Sequence, residues 1–76
     1  MQKYGIIKLH IKELMDSKNI SRKCILEKTR LKNEVFNRYY YNDIKKADFK
    51  VLCKICSALE CDIVDIISYE EYRIKN

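Results

Sequence analysis

Residues 20–41 read Ile20-Ser-Arg-Lys-Cys-Ile-Leu-Glu-Lys-Thr-Arg-Leu-Lys-Asn-Glu-Val-Phe-Asn-Arg-Tyr-Tyr-Tyr41, and the organisation of the chain turns on them. Candidate buried positions recur at Ile25, Thr29, Leu31, Phe36 and Tyr39, the spacing of two short helices that each bury one face and are joined by a tight turn. The Ser21 hydroxyl can accept from the free amides of an opening helical turn, so the first helix is expected from there to about Lys28. The second is expected from Lys32 or Asn33 to about Tyr41. Its outer face carries Asn33, Glu34, Asn37 and Arg38, whose amide, carboxylate and guanidinium groups can pair with base edges in a major groove. The pattern is that of a helix-turn-helix with 33–41 as the candidate recognition helix. A solvated helical pair also carries a polar outer face, so the rest of the chain has to bear on the choice.

A chain of 76 residues is expected to make one domain, 1–76, with its core in about 6–68 and a tail at 69–76. There is no Pro and only one Gly, while Lys, Glu, Leu and Ile abound, which favours an all-α fold over a turn-rich sheet architecture. The net charge of +5 and a pI near 9.1 suit a polyanionic partner. The excess of base over acid lies mainly before Asp48, on the helix-turn-helix side. No apolar run is long enough to span a membrane, and charges interrupt the first ten residues too often for a secretory leader, so a cytoplasmic location is expected.

In a reducing compartment Cys24, Cys53, Cys56 and Cys61 are expected as free thiols, with Cys56 and Cys61 as small core residues. Cys53-x-x-Cys56 has the spacing of a metal or redox pair, but it lies inside a helical pattern with no second cysteine pair, and His10 is distant. No metal and no cofactor is expected. There is no Gly-rich phosphate loop and no partner for the single histidine, so neither an enzyme nor a small-molecule substrate is indicated.

Along the chain, Gly5 can break structure ahead of a first helix with Ile7, Ile11, Leu14 and Met15 on its apolar stripe. Ile6 and Leu9 fall off that stripe. They either widen the buried face or belong to an extended arm, and both readings stay open. Asn19 can take the left-handed conformation that ends the helix. After a turn at Asn42, Lys45 and Lys46 are suited to phosphate contact. Asp48 is a candidate cap for a fourth helix bearing Phe49, Leu52, Ile55, Cys56 and Leu59 on one face. Asp62 and Asp65 favour the start of a fifth, with Ile63, Ile66 and Ile67 closing the core. The tail, with Tyr69, Tyr72 and Ile74, fits the end of that helix, a pairing segment or a frayed terminus. The expected core includes Ile11, Leu14, Ile25, Leu31, Phe36, Leu52, Ile55, Leu59 and Ile66.

The order of these elements resembles the phage-repressor-like helix-turn-helix family of the Cro or Xre type, over about Ile7 to Ile67. The most specific part, Asp48-Phe-Lys-Val-Leu-Cys-Lys-Ile-Cys-Ser-Ala-Leu-Glu-Cys-Asp-Ile-Val-Asp-Ile-Ile67, is similar to a run in small bacterial members. The resemblance implies a compact five-helix, lambda-repressor-like DNA-binding domain acting as a transcriptional regulator, commonly dimeric. It places Asn33, Glu34, Asn37 and Arg38 at base-reading positions, Arg22 at a phosphate or base contact, and Tyr41 and Asn42 at the backbone-contacting end. With the basic residues Lys23, Lys32, Lys45 and Lys46, these form the expected DNA-backbone set. The chain departs from the family with Leu26 in place of the usual Ala, Arg30 in place of the turn Gly, and Lys32 in place of the capping Ser.

The expected function is therefore a sequence-specific regulator that binds double-stranded DNA as a homodimer. Tyr69, Tyr72 and Ile74 are the expected seam. The alternative is a protein–protein interaction module of the same fold, antitoxin-like or a regulatory subunit, altered at Leu26 and Arg30 so that base reading is lost. Tyr39 is expected in the core. Tyr40 and Tyr41 fit phosphate contact, self-association or stacking on unpaired bases.

Overall fold

The computed structural model describes residues 4–72, and their elements run β1 (Ile6–Leu9), α1 (Ile11–Lys18), α2 (Arg22–Thr29), α3 (Asn33–Tyr40), α4 (Phe49–Leu59), a single 3-10 turn (Ile63–Asp65) and β2 (Ile67–Glu70). Four α-helices and a two-stranded sheet thus replace the expected all-α, five-helix arrangement.

The local signals that set the helix ends act as their chemistry dictates. Ser21 Oγ accepts from the Cys24 amide at 3.1 Å, and α2 starts at the next residue. Asp48 Oδ1 accepts from the Lys50 amide at 2.8 Å and opens α4. Asn19 takes φ 58° and ends α1, and its amide reaches back to the Asp16 carbonyl at 3.2 Å.

Both departures from the expected fold come from one long-range pairing. β1 and β2 run antiparallel with Ile6 opposite Glu70, Ile7 opposite Tyr69, Lys8 opposite Ser68 and Leu9 opposite Ile67. Isoleucine and tyrosine suit a pleated strand, and among the described residues the two four-residue strands pair with each other. The pairing delays α1 to Ile11, so Ile7 leaves the helical stripe and is exposed on β1. It also draws the chain out of helical geometry after Asp65, and the expected fifth helix shrinks to one turn in which Asp65 Oδ2 accepts from the Asp62 amide at 2.9 Å. Of the open readings, the extended arm holds for Ile6 and the pairing segment for Tyr69. An ion pair from Lys8 to Glu70 at 2.8 Å crosses the outer face of the sheet.

His10 joins sheet and helix. Its amide donates to the Ile66 carbonyl at 2.7 Å, its Nε2 lies 2.6 Å from Ser68 Oγ, and its Nδ1 lies 3.2 Å from a Glu13 carboxylate oxygen. That hydrogen bond is the main cause that holds the Glu13 carboxyl below its ordinary value.

The core comprises Leu9, Ile11, Met15, Ile25, Phe36, Tyr39, Leu52, Ile55, Ala58, Leu59 and Ile66, with Thr29 buried beside them. Leu14 and Leu31, expected inside, are only partly buried against it. Phe49 is corrected outright. It opens the first turn of α4 and is 81% exposed, so it lies off the stripe that Leu52, Ile55 and Leu59 bury. Ile63 is exposed as well, while Ile67 is partly buried. Cys56 and Cys61 pack against the core edge as half-buried free thiols, and Cys53 is exposed. Among the described residues no cluster of three His, Cys, Asp or Glu side chains is placed to hold a metal, and no helix is long and apolar enough to cross a membrane.

Candidate nucleic-acid interface

The α2–turn–α3 unit is where chemistry-bearing side chains converge. Three residues, 30–32, connect the two helices, and Arg30 takes φ 59°, ψ 25°, the left-handed conformation for which Gly carries no side-chain penalty. Its amide donates to the Leu26 carbonyl at 2.9 Å and closes α2. Thr29, buried beneath, satisfies its hydroxyl on the Ile25 carbonyl at 2.8 Å and accepts from the Leu31 amide at 3.3 Å. Leu26 is partly buried against the core. Leu26 and Arg30, two of the three departures from the resembled family, are thus accommodated with the turn closed. Lys32 caps α3 by backbone geometry alone, without a side-chain bond.

On α3, Val35 and Phe36 face inward, and Tyr39 reaches through the core to accept from the Asp48 amide at 2.9 Å. That bond ties α3 to the start of α4, where the loop between them ends. The same loop is held at its beginning by Asn42, which has φ 58° and whose Oδ1 accepts from the Leu9 amide at 2.9 Å. Asn42, expected at the DNA backbone, therefore already has its carboxamide oxygen engaged by β1.

Of the expected base-reading residues, Asn33, Glu34 and Arg38 are exposed on α3, whereas Asn37 is half-buried. Lys23, Lys32, Tyr41, Lys45 and Lys46 are exposed, and the lysines make no ion pair among the described residues. Tyr41 meets Tyr40 edge-on, with ring centroids 5.0 Å apart at 86°. Tyr40 is half-buried and lies 5.7 Å from Phe36.

Arg22, expected at the DNA backbone, packs against α3. Its guanidinium carbon lies 4.6 Å from the Tyr40 ring centre and 5.2 Å from that of Phe36. Its Nη2 donates to the carboxamide oxygens of both Asn33, at 3.2 Å, and Asn37. Its Nη1 is enclosed and has no hydrogen-bond partner among the described residues. The sequence reading missed this junction. The available signal was the coincidence of two i, i+4 pairs on α3, Asn33 with Asn37 and Phe36 with Tyr40, opposite an arginine at the first residue of α2.

Residues 10–71 match the family model of the Cro/C1-type HTH DNA-binding domain. The chain belongs to that family. No curated protein and no solved structure matches it. Within this Cro/C1-type domain, α2, the closed turn and α3 form the helix-turn-helix, and β1 pairs with β2 across the domain's sequence.

Proposed function

We propose that this Cro/C1-type domain is a non-catalytic, sequence-specific regulator of transcription that lays α3 into the major groove of double-stranded DNA. The observation that carries the reading is the exposed row of Asn33, Glu34 and Arg38 on α3, flanked by the cations of Lys23, Lys32, Lys45 and Lys46, which make no ion pair among the described residues. Arg38 suits the two acceptors of a guanine edge, and Glu34 suits the cytosine amino group. The lysines, point charges on flexible stems, suit phosphates. Tyr41 and the free amide hydrogens of Asn42 complete the backbone set at the end of α3. A cytoplasmic location goes with this reading.

The active form on this reading is a homodimer, because one domain of this size covers a half-site. Tyr69, within β2, and Tyr72, just past it, are exposed and support the seam; Ile74 lies outside the described residues. Selection from randomised duplex DNA tests both parts. A defined motif with inverted symmetry is the expected result. An asymmetric motif, with a monomer in sedimentation both free and on DNA, removes the dimer. Failure of the chain to enrich any duplex removes DNA reading and leaves the protein–protein interaction module in its place.

A further inference from the structure

We infer that Arg22 is a positioning residue that sets which base edges α3 can read, by turning the carboxamides of Asn33 and Asn37 so that their Nδ2 hydrogens face outward. This rests on the DNA-reading function proposed above. A guanidinium has hydrogen-bond donors and no acceptor, so an amide that meets it must present oxygen. The two hydrogens of Arg22 Nη2 serve one carboxamide oxygen each, at Asn33 and at Asn37. Rotating either amide would set donor against donor beside a cation. The amide orientation is therefore imposed by charge and geometry.

The guanidinium is itself held. It lies over the faces of Tyr40 and Phe36, whose negative π-clouds attract it, and Nη1 is enclosed. Of its two terminal nitrogens one is occupied by the amides and the other is sealed from solvent, so Arg22 does not offer the fork that a phosphate contact uses.

The consequence is a bias in readout. A freely turning asparagine pairs best with adenine, donating to N7 while accepting from N6. With both oxygens turned toward α2, the pair offers donors to the groove, which matches the acceptors of guanine, O6 and N7, or thymine O4, and disfavours the amino groups of adenine and cytosine. Two donors spaced one helical turn apart on α3 select acceptors at neighbouring base steps.

Two variants and two readouts test this. Arg22→Met keeps a long apolar stem on the rings but has no donors, and Arg22→Lys keeps the charge without a planar fork. In the free protein, 15N relaxation of the side-chain amides of Asn33 and Asn37 is expected to show both ordered in the unaltered chain and mobile in the Met variant. Equal mobility in the two overturns the clamp without reference to DNA. In selection from random duplexes, the unaltered chain is expected to enrich guanine or thymine at the positions facing Asn33 and Asn37. Both variants are expected to admit adenine there and to lose roughly tenfold on the best duplex, with the salt dependence of the Lys variant unchanged. A Lys variant equal to the unaltered chain in motif and affinity, with a Met variant whose salt slope falls by about one unit, makes Arg22 a phosphate contact and overturns the inference. If the unaltered chain binds no duplex, the DNA reading fails on that arm alone, and the readout bias falls with it.

Discussion

Arg30 takes the left-handed backbone conformation at the turn where a glycine would carry no side-chain penalty, and its own side chain is exposed. For an L-residue that conformation costs roughly 1–2 kcal/mol, part of which the greater unfolded-state freedom of Gly gives back. Arg30→Gly is therefore expected to stabilise the domain by about 0.5–1 kcal/mol, raising Tm by a few degrees in a thermal melt. An unchanged or lower Tm means that the Arg30 side chain stabilises the fold in a way the backbone does not reveal. On the neighbouring helix the exposed Arg38 side chain has no ion-pair partner among the described residues, so its removal leaves no buried group unsatisfied. Arg38→Ala is expected to change stability by no more than about 0.5 kcal/mol while costing roughly 1–3 kcal/mol on the best duplex and much less on a scrambled one. Equal losses on both duplexes make Arg38 a phosphate contact.

At the scale of elements, the sheet depends on a close backbone approach at Gly5. A Cβ at that position would lie 1.7 Å from the Glu70 carbonyl oxygen, and the Gly5 amide donates to the Tyr69 hydroxyl at 2.8 Å. Gly5→Ala is expected to peel apart the end where Ile6 faces Glu70 and to leave the buried end at Leu9 and Ile67 paired. Amide hydrogen exchange reads the difference residue by residue; uniform loss of protection along both strands means that the sheet opens as one unit. The half-buried thiols of Cys56, in the last turns of α4, and Cys61, just past its end, give a second test. Burial pushes Cys56 up and Cys61 from 9.0 to about 11. A raised folded value for an acid favours the protonated form, so the stability it contributes is present below about pH 9 and is lost as pH rises toward 11. The denaturation midpoint is expected to fall across that window, and less so in Cys61→Ala. Helix ends were legible in the sequence because Ser21, Asp48 and Asn19 act on amides and carbonyls only a few residues away. The strand pair was not, because Ile6-Ile-Lys-Leu9 fits either a helix face or a strand, and its partner lies about sixty residues on. The clamp was hidden for the same reason: Arg22 and Asn37 are read separately until folding sets α2 against α3.

For the whole molecule the question is how much of the binding is charge. The chain carries a net +5, and Lys45 and Lys46 stand exposed, with no ion pair among the described residues, in the loop that Tyr39 and Asn42 anchor beside α3. An anchored loop holds its cations at a set distance from the groove, so each lysine that touches a phosphate releases one counterion on binding and adds about 0.9 to the slope of log affinity against log salt. Lys45→Ala and Lys46→Ala are each expected to weaken selected and scrambled duplexes alike and to lower that slope by about one unit, the converse of Arg38→Ala. Titrations at several salt concentrations separate the two classes of contact. A lysine whose removal changes neither slope nor affinity lies outside the interface. If the Tyr39→Phe variant, which frees the loop from its bond to the Asp48 amide, lowers the slope as much as removing a lysine, the anchoring of the loop and not the charge alone sets the contact.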